Sequence, residues 1–424
     1  MARKHNLMLR QLVAEADWSG ADLARHVNRL GRENGMNLHY QRASSHQWMD
    51  GTLPRGPVGE LVAEALSRRL GRRITLQEAG LAPADGVPAG AEPHCGISPR
   101  SRVAPSTPYV LEAPEVSLLT APGGQGSKLL KISRSHVACV ARMADHLSRS
   151  DHLVGSGSSL SVFDAFYRVC VHPWLDAHAS PGVRRDLLGA CARFAYIGGY
   201  LYVDAGRNGT AQQWYHLAAA LAQEGGQPPV AAAAWRAMSV QAGVLGHHDH
   251  ALALAERSLT ALGARTAPPP FLRGQLAAAL ASCRLPGPAY AALAETERAM
   301  ERESAFPTGS MGVYHVAAFT HQRAEIRLSL GDPSGAVDDL SLSARLRPPA
   351  ENRTRALVLA RLGEVHFARG EVEQACAAWR TFLDNRRGVT SERVSDAQRA
   401  MRFLLHPHRS RPLVADLLAS TGTR

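Results

Sequence analysis

Five alanines in the C-terminal part of this chain stand at a fixed offset from small residues, and that offset constrains the fold more than any other feature. Ala211, Ala251, Ala336 and Ala375 each follow a glycine by five positions, namely Gly206, Gly246, Gly331 and Gly370. Ala289 is a fifth, weaker anchor, with Arg284 where the others have glycine. Twelve positions before each anchor stands another small residue: Gly199, Ser239, Ala277, Ala324 and Gly363. Small residues at both points let two antiparallel helices approach closely, and the glycine supplies a positive φ at the turn between them. Four positions after the anchors come Tyr215, Ala255, Leu293, Leu340 and Trp379, one helical turn along the same face. The pattern predicts stacked helix hairpins, a solenoid that buries its core between neighbours and leaves a concave face for binding.

The spacing resembles the tetratricopeptide repeat. The resemblance is best in GGYLYVDAGRNGTAQQWYHLA, where Gly199, Tyr202, Gly206, Ala211, Tyr215 and Ala218 fall at signature positions, and nearly as good in ARLGEVHFARGEVEQACAAWRTFL. Successive anchors lie 40, 38, 47 and 39 residues apart, against about 34 in the repeat, so longer helices or connectors and an irregular superhelix are expected. Residues 129–190 read as further helices ahead of the clearest repeat, and the last 35 residues of the chain as a cap. The repeat region is therefore placed at 129–424.

A different unit occupies residues 1–81. Leu9, Leu12, Val13 and Ala16 recur at i, i+3, i+4, i+7 and predict an amphipathic helix over residues 6–16. Ser19 is a plausible N-cap for a second helix over 20–31, with Leu23, Val27 and Leu30 on one face. A third, short helix fits Ala43 to Met49 and is ended by Gly51; Pro57 opens a fourth with Val58, Leu61, Val62, Ala65 and Leu66 inward. Four short helices suit a helix-turn-helix domain. Residues 82–128 hold eight prolines and six glycines without a sustained apolar period, and are expected to be a flexible linker. The fold class expected is thus all-α: a helix-turn-helix head, a Pro/Gly-rich linker and an α-solenoid.

In such a head the third helix is buried on one side while its other side faces the major groove. In RASSHQWMDG, Trp48 is the expected core anchor, and Arg42, Ser44, Ser45, His46 and Gln47 are candidates for bases and flanking phosphates. Glutamine can pair with adenine N6/N7 and arginine with guanine O6/N7, while serine is permissive. Arg55, Arg3 and Lys4 are placed for phosphate. The stretches LRQLVAEADWSGADLARHVNRLG and YQRASSHQWMDGTLPRGPVGELVAEALSRRLGR resemble the lambda-repressor-type (Xre) head of actinobacterial regulators that carry C-terminal tetratricopeptide repeats. SRSDHLVGSGSSL and GGYLYVDAGRNGTAQQWYHLAAALA extend the resemblance through the rest of the chain. It implies a cytoplasmic transcription regulator, in many such chains connected with development or antibiotic production. Two departures stand out. NRLGRENGMNLH lengthens the segment between the second and third helices, and Asp50 stands where the family commonly has a basic residue, so it is expected to repel a phosphate.

Charge agrees with a polyanionic partner without singling one out. The chain carries +11, of which +4 falls in residues 1–81 (12 Lys/Arg against 8 Asp/Glu) and +7 in the remainder (36 against 29), about twice as dense per residue at the N-terminus. The N-terminus lacks the apolar block of a secretory signal, and no apolar run is long enough for a membrane span. The six cysteines form no C-x-x-C pair and read as ordinary buried thiols. GGQGSK at 123–128 does not have Walker A spacing, and no nucleophile, base and orienter are assembled, so no enzyme activity and no cofactor are expected. His247, Asp249 and His250 are turn residues not expected to converge on a metal. The aromatics Trp174, Tyr196, Tyr200, Tyr202, Trp214, Tyr215 and Trp235 are mostly expected in the core. By analogy with peptide-sensing bacterial regulators that join the same two modules, Tyr200 and Trp214 are candidates to line a groove for a peptide or small effector. The expectation is a homodimeric, sequence-specific DNA-binding regulator. The competing expectation is a protein-interaction scaffold with only charge-driven DNA affinity.

Overall fold

The computed structural model describes residues 5–34, 36–82, 109–111, 131–263, 266–302, 305–307 and 313–421. It is all-α apart from one short two-stranded hairpin. The head comprises α1 (Leu7–Glu15), α2 (Gly20–Glu33), α3 (Arg42–Met49) and α4 (Val58–Leu70). Ser19 caps α2 as expected: its hydroxyl accepts from Asp22 N–H at 3.3 Å, while Ser19 N–H donates to the Asp22 carboxylate at 3.0 Å. The apolar faces of α1, α2 and α4 close one core around Leu9, Leu23, Val27, Leu30, Trp48, Leu61 and Leu66, and Ile74, Ala79 and Leu81 complete it past the end of α4. Asn6 ties the two ends of the head together by donating to the carbonyls of Ala79 and Gly80, each at 2.9 Å.

The body begins with α5 (Arg134–Val154) and α6 (Ser159–Phe166), continues through a π-helical stretch, Tyr167–Val171, and reaches α7 (His172–Leu175). Five hairpins follow: α8 (Pro181–Asp204) with α9 (Asn208–Glu224), α10 (Pro228–Val244) with α11 (His248–Thr260), α12 (Pro270–Ser282) with α13 (Pro286–Arg302), α14 (Val316–Ser329) with α15 (Pro333–Leu346), and α16 (Asn352–Ala368) with α17 (Val372–Asn385). Helices α18 (Glu392–Leu405) and α19 (Pro412–Ser420) cover the last core with Val394, Met401, Leu405, Val414 and Leu417. The long 47-residue anchor spacing is accounted for between α13 and α14, where β1 (Ala305–Pro307) pairs antiparallel with β2 (Val313–His315). Among the described residues no helix is long and apolar enough to cross a membrane.

Each hairpin closes as its small residues require. The anchors Ala211, Ala251, Ala289, Ala336 and Ala375 are all buried. A Cβ on Gly199 would lie 2.2 Å from the Tyr215 ring, and one on Gly363 would lie 2.4 Å from the Trp379 indole, so the aromatic of the second helix fills the space a side chain on the first would take. Gly206, Gly246, Gly331 and Gly370 have φ of 74°, 89°, 85° and 79°. Arg284, the exception in the pattern, adopts the same left-handed turn with φ 58° and bears the strain that glycine avoids.

The solenoid is closed on itself. Arg353 of α16 is buried and donates to the Asp151 carboxylate of α5 at 2.7 Å, to the Asp151 carbonyl at 3.0 Å and to the Asp204 carboxylate of α8 at 3.1 Å. Ser391, the N-cap of α18, donates to Asp204 at 2.7 Å. Beside it Thr390 N–H bonds the carbonyl of Val154 at 2.7 Å and Gly157 N–H bonds the carbonyl of Thr390 at 3.0 Å. Residues some two hundred positions apart are thereby joined in a dry ionic cluster. Of the cysteines, Cys191 and Cys376 are buried but Cys139 is exposed, so the expectation of buried thiols fails there; Cys95 lies outside the described residues.

Candidate nucleic-acid interface

Helix α3 is mounted on α2 by a set of specific contacts. The side chain of Asn28 grips the approach to α3 from both sides, donating to the Tyr40 carbonyl at 2.7 Å and accepting from Tyr40 N–H at 2.8 Å. Tyr40 packs edge-on against Trp48 with ring centroids 5.0 Å apart. The lengthened segment between the helices is therefore folded back along α2, with Leu38 against Gly31 at a point where a Cβ would lie 2.5 Å from its side chain. At the C-terminal end of α3, the carbonyl of Met49 accepts from Asn6 N–H at 3.0 Å and from Arg10 at 3.2 Å, and Gly51 turns the chain away with φ 93°.

The helix divides into two faces. Ser45, Trp48 and Met49 point inward; Arg42, Ala43, His46 and Gln47 are exposed and Ser44 is half-buried. Trp48 is the anchor expected of it. Ser45 is not a reading residue: it is fully buried, and its hydroxyl donates to the carbonyl of Gly20 at 2.6 Å, closing the crossing of α2 and α3. A Cβ on Gly20 would meet that hydroxyl at 2.8 Å, so small groups are required on both sides. On the open face Arg42 Nε donates to His46 Nε2 at 3.3 Å, and Gln47 is exposed next along the helix. Arg55 is exposed in the loop just beyond. Arg3 and Lys4 lie outside the described residues.

Asp50 is not a bare negative charge. Its carboxylate is held by Arg10 at 2.5 Å and by His5 at 3.2 Å, and these partners, Arg10 first, keep it below the usual carboxylate range. The repulsion expected from Asp50 is offset locally. Three further cations, Arg25, Arg29 and Arg32, are exposed along α2. They recur at i, i+4, i+7 opposite the Leu23, Val27, Leu30 stripe, a signal available from the sequence alone.

The far end of α2 rests on the solenoid. Arg68 of α4 bridges Glu33 at 2.8 Å and Glu64 at 2.7 Å. Burial disfavours its charge, but the two carboxylates outweigh this and hold it firmly protonated. From the body, His247 Nε2 lies 3.1 Å from Glu64, Asn208 donates to Glu33 at 3.3 Å, and a Cβ on Gly246 would approach the Arg68 carbonyl to 2.6 Å. Tyr109, within the segment expected to be linker, is buried flat against His247, with ring centroids 5.5 Å apart and planes 6° from parallel. Its neighbour Val110 exchanges two backbone hydrogen bonds with the Gln212 amide, at 3.1 and 2.7 Å. Gly20 and Glu33 are separated by about 20 Å of helix at 1.5 Å per residue, so α3 and the body occupy opposite ends of α2.

The other candidate residues fall inside the body. Trp214 does not line a groove: it is buried, wedged edge-on between Phe163 and Tyr167 with centroids 4.7 Å from each. Tyr200 is half-buried, and its hydroxyl accepts from Tyr196 at 3.2 Å. His247 is committed to Glu64. Among the described residues no three histidine, cysteine or acidic side chains converge as metal ligands.

No curated protein matches the chain. Among solved structures it is similar to BtubC (BKLC) from P. vanneervenii, with 14% identity, 63% of this chain and 92% of that chain covered, and a TM-score of 0.32. The family model described as the SP15 N-terminal domain matches residues 9–82, the span of the four-helix head that carries α3.

Proposed function

We propose that this chain is a sequence-specific DNA-binding transcription regulator of the Xre type, acting in the cytoplasm as a homodimer, with α3 as its reading helix. The tetratricopeptide-like body would provide dimerisation, effector sensing or both. One observation carries the proposal: the buried face of α3 is fully occupied by Ser45, Trp48 and Met49, while Arg42, His46 and Gln47 are exposed to solvent, with Arg55 exposed just beyond. Arginine and glutamine are side chains suited to bidentate contacts with guanine and adenine in the major groove, and the Arg25, Arg29, Arg32 row on α2 is suited to phosphates. The orientation of the head is compatible with this use, because the contacts to the body lie at the other end of α2.

The test is to select fragments of sheared genomic DNA with the purified protein at physiological salt and sequence them. A shared motif, preferably palindromic, that changes at defined positions for Gln47→Ala or Arg42→Ala is the expected result. Fragments without any motif, whose binding collapses as salt rises, would leave only charge-driven affinity and would favour the scaffold.

A further inference from the structure

The first helices of successive hairpins bring one arginine into an aromatic setting with no ion-pair partner among the described residues. Arg236 of α10 points at α8, where its Nη1 donates to the Tyr200 hydroxyl at 3.3 Å. Its Nε is buried and has no hydrogen-bond partner. The phenols of Tyr200, Tyr196, Tyr314 and Tyr215 are the groups that act most strongly on its charge, and its only side-chain hydrogen bond among the described residues is the one to Tyr200. Three more deeply enclosed arginines of this fold are paired: Arg68 with Glu33 and Glu64, Arg347 with Glu351, Arg353 with Asp151 and Asp204. The polar groups around Tyr314 form a chain of their own: Tyr314 donates to Gln322 at 2.6 Å, Gln322 to Gln275 at 3.2 Å and Gln275 to Ser239 at 2.9 Å.

A guanidinium partly withdrawn from water without an anion is costly, and such a group in a native fold calls for a partner. We propose that this corner of the solenoid binds a small organic carboxylate, with Arg236 as the cationic contact and the Tyr200 hydroxyl as a neutral donor; the proposal rests on the effector-sensing reading of the body. The planar fork of arginine matches a carboxylate through two parallel hydrogen bonds. One unpaired cation matches a monoanion. The body of the ligand packs on the tyrosine rings, whose centroids are 5.1 Å apart for Tyr196 and Tyr200 and 5.8 Å for Tyr200 and Tyr215. Tyr200 and Arg236 both retain exposed surface, so the corner is open to solvent.

The test is thermal unfolding of the full chain with sodium benzoate, benzamide or phenyl phosphate, at constant ionic strength, for the wild type, Arg236→Met and Tyr200→Phe. Benzoate should raise the wild-type Tm by about 2–4 °C well above half-saturation, benzamide should not, and Arg236→Met should lose the rise while melting no lower than the wild type without ligand. Tyr200→Phe should keep part of the rise. A lower ligand-free Tm for Arg236→Met would make the arginine a structural residue and overturn the proposal, as would an equal benzoate effect in both proteins or none in the wild type. A rise with phenyl phosphate alone would overturn the carboxylate assignment. A benzoate rise that depends on Arg236 but leaves the selected DNA motif and its affinity unchanged would support the site and remove sensing as its purpose.

Discussion

Replacing Arg353 by alanine removes the cation that joins the two ends of the solenoid, and the cost follows from what is left behind. Asp151 and Asp204 remain at 4% and 1% exposure, with the Asp204 carboxylate still bonded to Ser391 and to Ser156 N–H but the Asp151 carboxylate stripped of its partner. Removing one partner of a buried ion pair costs about 3–5 kcal/mol, chiefly because the other charge is stranded. For a body of this size that corresponds to a fall of roughly 10 °C in Tm. The loss depends on pH. Burial already holds Asp151 above its ordinary value, opposed by Arg353. A carboxyl whose folded pKa is raised destabilises the fold above that pKa, and the penalty fades as pH falls toward the unfolded value. Without Arg353 the folded pKa rises further, so the deficit of the variant should shrink between pH 7 and about pH 5. Urea unfolding followed by circular dichroism at both pH values measures it, and Asp151→Asn added to Arg353→Ala should recover much of the loss at pH 7. A deficit below about 1 kcal/mol, in the range of an exposed pair, or one equal at both pH values, would refute the account of a dry cluster.

Four other outcomes are expected. Gly199→Ala and Gly363→Ala force a Cβ into Tyr215 and Trp379 and should each cost about 1–3 kcal/mol in chemical denaturation, whereas Gly182→Ala, on the first turn of α8 with nothing within 4 Å of the new Cβ, should be close to neutral. Ser45→Ala should lower stability by about 1–2 kcal/mol and leave base preference intact, while Gln47→Ala should change preference at particular base pairs; parallel melting and selection experiments separate the two. Arg55→Ala should weaken all DNA fragments alike and reduce the salt slope by about one, as fluorescence anisotropy over a salt series reports. His321 is held down to about 4 by burial first, with Arg347, Arg393 and Arg361 adding to it. Between its ordinary value and about 4 the unfolded chain binds the proton that the folded chain refuses, so stability falls as pH drops through that window, and His321→Asn should flatten this part of the pH–stability curve.

The hairpin crossings are readable from the chain alone because their requirement is local: a turn that needs positive φ and two helices that touch where only a small residue fits. The same logic places Ser45 inside, since it stands three before Trp48 and four before Met49, and Trp214 inside, since it shares the i, i+3, i+4, i+7 stripe of Ala211, Tyr215 and Ala218. Weighting residue type over helical phase puts both on the wrong face. Arg284 shows the limit of pattern: its turn is the same, yet no side chain rule announces an arginine at φ 58°. The closure through Arg353 and Asp151 is not readable at all, because no periodicity links residues 202 positions apart. Nor is the Tyr109 stack, which lies in a stretch whose composition reads only as linker.

The stack and the ion cluster at the C-terminal end of α2 bear on the thermodynamics of the recognition proposed for the head. A head hung on a free tether must surrender its orientational freedom each time it docks, and that entropy is subtracted from the affinity of every contact it makes. Here Glu33, Glu64 and Arg68 already meet Asn208 and His247 before any partner arrives. Leu81 and Tyr109 are both packed, so the chain between them joins two points whose separation is settled elsewhere. A substitution at His247 would remove the Glu64 contact and the Tyr109 stack, and would leave Asn208 on Glu33 and Gly246 against Arg68 to hold the head.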